Sequence, residues 1–184
     1  MEVIDADQVA RYVSAPGMPA CDKIIKEFGE RVLGRVRPGR EILIDRKILS
    51  EIVFNEPGAR EKLERIMVPI VGDEIERRLI ILYGGEKIVV LESAILIEQG
   101  FANDCRPLVV VSVSREVQVQ RLMKRNGFTE AQAHARINAQ MSNERKVNYA
   151  DIVIDNDSDE TELLRQADIT YDNLKLMIER GKGS

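Results

Sequence analysis

At 184 residues, 44% hydrophobic and 32% charged, the chain is long and apolar enough to bury a core within one domain, and wholesale disorder is excluded. A formal net charge of -4 argues against general binding to nucleic acid or an anionic membrane. Two cysteines without CxxC spacing and the lone His134 leave little material for a zinc site or a Cys–His nucleophile.

Cys21 and Cys105 therefore read as small reduced side chains, and no metal ligand set is expected. No apolar run reaches the roughly 18 residues of a membrane span, and the N-terminus has no signal-like apolar stretch, so a cytoplasmic protein is expected.

The opening Met1-Glu-Val-Ile-Asp-Ala-Asp7 predicts a short strand running into acidic residues, then a helical turn over Gln8–Tyr12 that Ala15-Pro-Gly-Met-Pro19 breaks. Ile24, Ile25, Phe28, Val32 and Leu33 recur at helical spacing, and Gly34–Arg40 reads as an exposed loop. Asp45 is a cap for a helix presenting Ile48, Leu49, Ile52 and Val53. Asn55-Glu-Pro57 restarts a helix with Asn55 as its cap. Its stripe runs Leu63, Ile66, Met67, Val71, Ile75, Leu79, Leu82, with a kink or break at Pro69 and an end at Gly84-Gly85.

Lys87–Leu91 and Leu108–Val113 are β-branched apolar runs of the kind buried on both faces of a parallel sheet. A helix carrying Val117, Leu122 and Met123 follows. Thr129-Glu-Ala-Gln132 has capping-box spacing and opens another helix through Ile137. Ile152–Ile154 is a last strand and Asp155–Asp159 a turn and cap. Leu163, Leu164, Ala167, Leu174, Met177 and Ile178 form a closing helix. Strands alternating with helices mean an α/β fold, and no internal repeat is present.

Several ordered segments together resemble the dephospho-CoA kinase family. They are Val3-Ile-Asp-Ala-Asp7-x-x-Ala-Arg11, Pro16-Gly-x-Pro-Ala20, Ile44-Asp-Arg46 through Val53-Phe54, Arg121-Leu-Met-Lys-Arg125, and Ala150-Asp-x-Val-Ile-Asp-Asn156. Arg136-Ile-x-x-Gln140 and Lys146 also fall where that family places them. The resemblance implies ATP-dependent phosphorylation of the ribose 3′-hydroxyl of dephospho-CoA, with Mg²⁺, completing coenzyme A. It implies a P-loop-kinase-like fold over residues 1–184, with a five-stranded parallel sheet and flanking helices. A helical substrate subdomain near 14–83 and a lid near 115–147 complete that layout. The oligomeric state is left open.

The resemblance makes Asp7 the carboxylate that accepts or orients the attacking proton; the residue type and position alone equally suit a helix N-cap. Arg121 and Arg125, at i and i+4, share a helix face that is either a phosphate clamp or a solvated surface. Arg136 and Lys146 are weaker candidates of the same kind. Arg11, Arg46 and Gln140 are candidate dephospho-CoA contacts, with a structural ion pair as the alternative for Arg46. Arg125, Arg136 and Asn156 are candidates for the ATP side, where Asn156 equally suits a turn. His134 reads as surface or structural.

The chain also departs from the family pattern. The strand–GxxxxGK[ST]–helix unit that cradles phosphates occurs nowhere in it, and Gly84-Gly85-Glu-Lys87 is a poor imitation. A piece of roughly 25 residues, including the first and central strand of the sheet, is expected to be missing. Val68-Pro69 stands where the family commonly has His-Pro. Glu92-Ser-Ala-Ile-Leu-Ile-Glu98 replaces Asp-x-Pro-Leu-Leu-x-Glu. A non-catalytic protein that binds CoA-type ligands or a partner protein, and a subunit whose sheet another chain completes, are the competing readings.

Overall fold

The computed structural model describes residues 1–34, 44–82 and 88–181, the last three by backbone alone. The chain divides into two compact units, Met1–Ser93 and Ala94–Ser184.

In the first unit, strand β1 (Glu2–Asp5) runs straight into helix α1 (Ala6–Val13). Pro19 then opens helix α2 (Pro19–Phe28), its fixed φ suiting the first turn and its missing N–H costing nothing there. The helical spacing of Ile24, Ile25 and Phe28 holds, but it does not extend to Val32 and Leu33. Gly29, at φ 77° and ψ −179°, stops α2 in a conformation reserved for glycine, and a 3₁₀ turn over Glu30–Val32 follows. The loop expected at Gly34–Arg40 lies outside the described residues beyond Gly34.

Asp45 caps helix α3 (Arg46–Asn55) as expected, accepting from the N–H groups of Lys47 and Ile48. Asn55 does not cap the next helix. It closes α3, with Nδ2 donating 2.8 Å to the Glu51 carbonyl, and helix α4 (Ala59–Leu82) starts after the Pro57–Gly58 turn. Pro69 does not break α4, which runs through it. A mid-helix proline costs about 3 kcal/mol. Leu63, Ile66, Met67, Ile70, Val71 and Ile75 all pack on the core from this helix, at about 25 cal/mol per Å² buried. Tertiary burial overrides the local penalty. Leu79, expected in the stripe, is exposed, while Leu82 packs inward. The expected helix end at Gly84-Gly85 lies outside the described residues.

Strand β2 (Val89–Glu92) returns beside β1 in parallel, with Val3 opposite Val90 and Asp5 opposite Glu92. Lys87, the expected first residue of this run, is outside the described residues. The core of the unit joins Ile4 of β1, Val9 and Val13 of α1, Ile24 and Phe28 of α2, and Ile52 of α3.

In the second unit a turn-rich segment and a 3₁₀ turn (Phe101–Asn103) lead to strand β3 (Val109–Ser112). Helices α5 (Arg115–Asn126), α6 (Glu130–Asn138) and α7 (Asn143–Val147) precede strand β4 (Ile152–Asp155), which pairs in parallel with β3. Helix α8 (Glu160–Gly181) closes the chain, its first turn capped by Asp159, which accepts the Glu162 N–H. The Thr129–Gln132 capping box forms in full: Thr129 Oγ1 accepts the Gln132 N–H and Gln132 Oε1 the Thr129 N–H. The buried residue of α5 is Val119, which packs with Leu122 against Ala133 and Ile137 of α6. The short α7 and the 3₁₀ turns have no counterpart among the expected elements.

The α/β class with parallel strands is therefore as expected, but the described strands form two separate two-stranded ladders, β1–β2 and β3–β4. The apolar runs are not buried on both faces. Val3 is 53% exposed, Val111 54% and Val153 44%, whereas Ile4, Val110 and Ile154 are buried. Successive side chains point to opposite faces of a strand, so cover on one face leaves the alternate residues open. Leu164, Met177 and Ile178 of α8 are likewise exposed.

Two outcomes follow from this packing. Ile24 is 1% exposed at the centre of the first unit, so Ile24→Ala should cost about 2–5 kcal/mol in urea unfolding; a loss under about 1 kcal/mol would contradict the packing described. Glu74 accepts from Arg77 and Arg78, which lower its pKa from 4.5 to about 2. A depressed carboxyl stabilises the fold above its unfolded value and loses that contribution as pH falls toward its folded value. The melting advantage of wild type over Glu74→Gln should thus persist at pH 6 and fade between pH 4.5 and about 2; an advantage constant across that window would refute the pairing.

Candidate functional site

The end of β1 sets the first part of the site. Asp5, in extended backbone, accepts the Gln8 N–H at 3.0 Å on Oδ1 and Gln8 Nε2 at 2.8 Å on Oδ2. It is the N-cap of α1, and these bonds hold its carboxyl below the usual carboxylate range. The cap is therefore Asp5 and not Asp7. Asp7 lies in the first turn of α1, exposed, and no described side chain hydrogen-bonds its carboxylate. It follows the carboxyl end of a parallel strand, where open α/β sheets bind ligands.

Arg11 sits exposed in the last turn of α1. Arg46, at the start of α3, reaches back to it: its guanidinium donates 3.1 Å to the Arg11 carbonyl and 3.1 Å to Ser14 Oγ. Ser14 is buried and itself donates 2.7 Å to the Ala10 carbonyl. The described partners of Arg46 are thus neutral acceptors at the C-terminus of α1, where the helix dipole favours a cation. Beside them, Arg78 of α4 stacks on the Tyr12 ring, 5.4 Å from its centroid.

In the second unit Arg121 and Arg125 share one face of α5, both exposed. No described side chain pairs with Arg121; Arg125 Nε donates 3.0 Å to Asn126 Oδ1. Arg136 of α6 lies over the Phe128 ring at 4.6 Å, and Gln140 is exposed just past the end of α6. Arg115 braces α5 to α6 by donating 2.6 Å to Asn138 Oδ1, and it also meets His134 Nδ1 at 3.2 Å. His134 is thereby a structural residue on this face.

Asn156 follows β4, its N–H donating 2.8 Å to the Ser112 carbonyl at the end of β3. Beside it the Ser114 N–H donates 2.7 Å to Asp157 Oδ1. The carboxyl ends of both strands are stitched into one loop pair. At their opposite ends Asp151 accepts from Arg106 and from the Leu108 N–H, which lowers its pKa. Lys146, whose spacing alone left it indistinguishable from surface charge, is only 14% exposed and pairs with Glu98 at 3.1 Å. Asp7 and Arg11 fall in the first unit, and Arg121, Arg125, Arg136, Gln140 and Asn156 in the second.

Both cysteines are free, and burial raises the thiol pKa of each. Among the described residues no group of three His, Cys, Asp or Glu side chains is placed to hold a metal ion, so the residues present do not by themselves fit a Mg²⁺ site. No helix among them is long and apolar enough to cross a membrane.

Comparison with known proteins bears on the family of the chain. A family model described as dephospho-CoA kinase matches residues 1–162. The dephospho-CoA kinase of Geobacter sulfurreducens is 41% identical over 165 residues, 89% of this chain and 81% of that protein. That of Thermobifida fusca is 40% identical over 161 residues, 88% and 78% of the two chains. Among solved structures, the dephospho-CoA kinase of Campylobacter jejuni superposes with a TM-score of 0.64 at 27% identity, covering 100% of this chain and 86% of that one. A Thermus thermophilus protein reaches a TM-score of 0.73 at 27% identity, covering 97% and 84%. With a family model matched over residues 1–162 and relatives 40–41% identical over most of its length, the chain belongs to the dephospho-CoA kinase family.

Proposed function

We propose that this chain carries the acceptor-substrate and arginine-bearing parts of an ATP-dependent kinase that phosphorylates the ribose 3′-hydroxyl of dephospho-CoA, the last step of coenzyme A synthesis in the cytoplasm. The observation that carries the reading is the division of labour between Asp5 and Asp7. Asp5 caps the helix N-terminus, and among the described residues no side chain bonds the Asp7 carboxylate, which supports a role for it toward a substrate hydroxyl.

In this reading Asp7 accepts the 3′-hydroxyl proton as the ribose oxygen attacks the γ-phosphorus of ATP and ADP leaves. Arg121 stabilises the charge on the transferring phosphoryl group, with Arg125 and Arg136 on the remaining ATP phosphates. Asn156, in the loop stitched to the end of β3, flanks the adenine. Arg11 and Gln140 contact dephospho-CoA. Arg46 contacts it from a guanidinium that also fastens the end of α1. Residues near 14–83 form the substrate subdomain and residues near 115–147 the lid.

ATP arrives as its Mg²⁺ complex, and no step is assigned to the ion here because the described residues offer it no ligand set. The cradle for the β- and γ-phosphates is assigned to a strand–loop–helix segment outside these 184 residues. Two facts support that assignment: the sequence contains no GxxxxGK[ST], and each ladder among the described residues has only two strands.

Titration calorimetry on the 184-residue chain should show dephospho-CoA binding with ATP binding much weaker. Absence of dephospho-CoA binding would refute the substrate assignment, and turnover by this chain alone would refute the external cradle. In a preparation that turns over, with the phosphate cradle supplied, Asp7→Asn should lose about 10²–10⁴-fold in kcat with its melting temperature unchanged. A variant within about threefold of wild type would remove Asp7 from the reaction.

A further inference from the structure

Glu98 lies in the turn-rich segment after β2, in the second unit, and is largely buried, its side chain 17% exposed. Its Oε1 accepts from Lys146 Nζ at 3.1 Å and from the backbone N–H of Met141 at 3.1 Å. Lys146 Nζ also donates 2.8 Å to the Ala94 carbonyl. Three bonds therefore tie residues 94–98 to the segment that runs from the end of α6 into α7. From the other side, Asn143 Nδ2 donates 2.6 Å to the Val113 carbonyl, where β3 leaves for α5.

These bonds fall on the two places where the α5–α6 arm joins the rest of its unit. The arm itself is one packed body, through Val119, Leu122, Ala133 and Ile137 and through the Arg115–Asn138 bond. It can change position chiefly by bending at its exit near 113–114 and its return near 139–143. We infer that the Glu98–Lys146 pair is a positioning device that fixes the return hinge, and so sets where Arg121, Arg125, Arg136 and Gln140 stand.

The pair is a poor design for stability alone. Glu98 Oε2 is buried with no hydrogen-bond partner, and buried ion pairs are commonly replaced by apolar residues without loss of stability. Holding one backbone N–H, one carbonyl and one side chain in a set geometry is what the pair achieves. This inference rests on the kinase reading only for its consequence in turnover; the hinge itself is tested without activity.

The test uses spin labels at Lys124→Cys on α5 and Arg165→Cys on α8, in a Cys21→Ala/Cys105→Ser background of the full chain. The Glu98→Leu/Lys146→Met double variant should melt cooperatively within about 4 °C of its parent yet show a wider, shifted label–label distance distribution. Glu98→Gln, which keeps an oxygen for the Met141 N–H, should restore most of the parental distribution; if the double variant does not fold, Lys146→Met carries the comparison, and an unchanged distribution in it would overturn the proposal. An unchanged distribution in a folded double variant, or a Glu98→Gln distribution as wide as that of the double variant, overturns the proposal. In a preparation that turns over, the double variant should lose about 10–100-fold in kcat, with the dephospho-CoA KM within about threefold. Altered distances with unaltered kcat would leave the hinge in place and remove the arm from the reaction.

Discussion

The carboxylate of Asp5 governs the passage from strand to helix at the front of the molecule. Strand β1 ends and α1 begins with no residue between them, so the first amides of α1 must find an acceptor within the strand's last side chain. Asp5 supplies it, Oδ1 accepting the Gln8 N–H and Oδ2 the Gln8 side-chain Nε2. That single turn aims Val9 and Val13 into the core while Asp7, two residues past the strand end, is exposed.

The same economy recurs at other element ends. Arg46 and Ser14 fasten the C-terminus of α1, Asp151 locks the starts of β3 and β4, and Asp157 and Asn143 hold the backbone where β3 gives way to α5. Regular elements leave unpaired N–H and C=O groups at their termini, and polar side chains collect where those groups must be met. Side chains free for ligands are then the ones these tasks leave over. Among the described residues no side chain bonds Asp7 or Arg121, whereas Lys146 and His134 are engaged.

Membership of the dephospho-CoA kinase family bears on the two ladders as well. A parallel pair of strands cannot be closed by a tight turn, and each pair here is bridged by helices that cover part of its surface. Valines at 3, 111 and 153 remain half in solvent, on strands whose neighbouring residues are buried.

Much of this was legible in the residues themselves. The Asp45 cap, the Thr129–Gln132 capping box, the positions of all four strands and the break before Pro19 follow from local rules, because each depends on bonds spanning only a few residues. The family segments, read in order, are the ground on which Asp7 and Arg121 are proposed. What local rules could not settle was decided by tertiary contact. Pro69 stays within α4 because the helix buries a long apolar stripe, a return that no window around the proline contains. Which of Asp5 and Asp7 caps the helix depends on where β1 stops, and that is set by its pairing with β2. Lys146 becomes a buried partner of Glu98, 48 residues away, rather than a surface charge, because the fold brings residues 94–98 against the turn into α7. Sequence determines the partners available within a turn or two; only the folded chain assigns those that lie farther apart, since their meeting depends on the packing of everything between them.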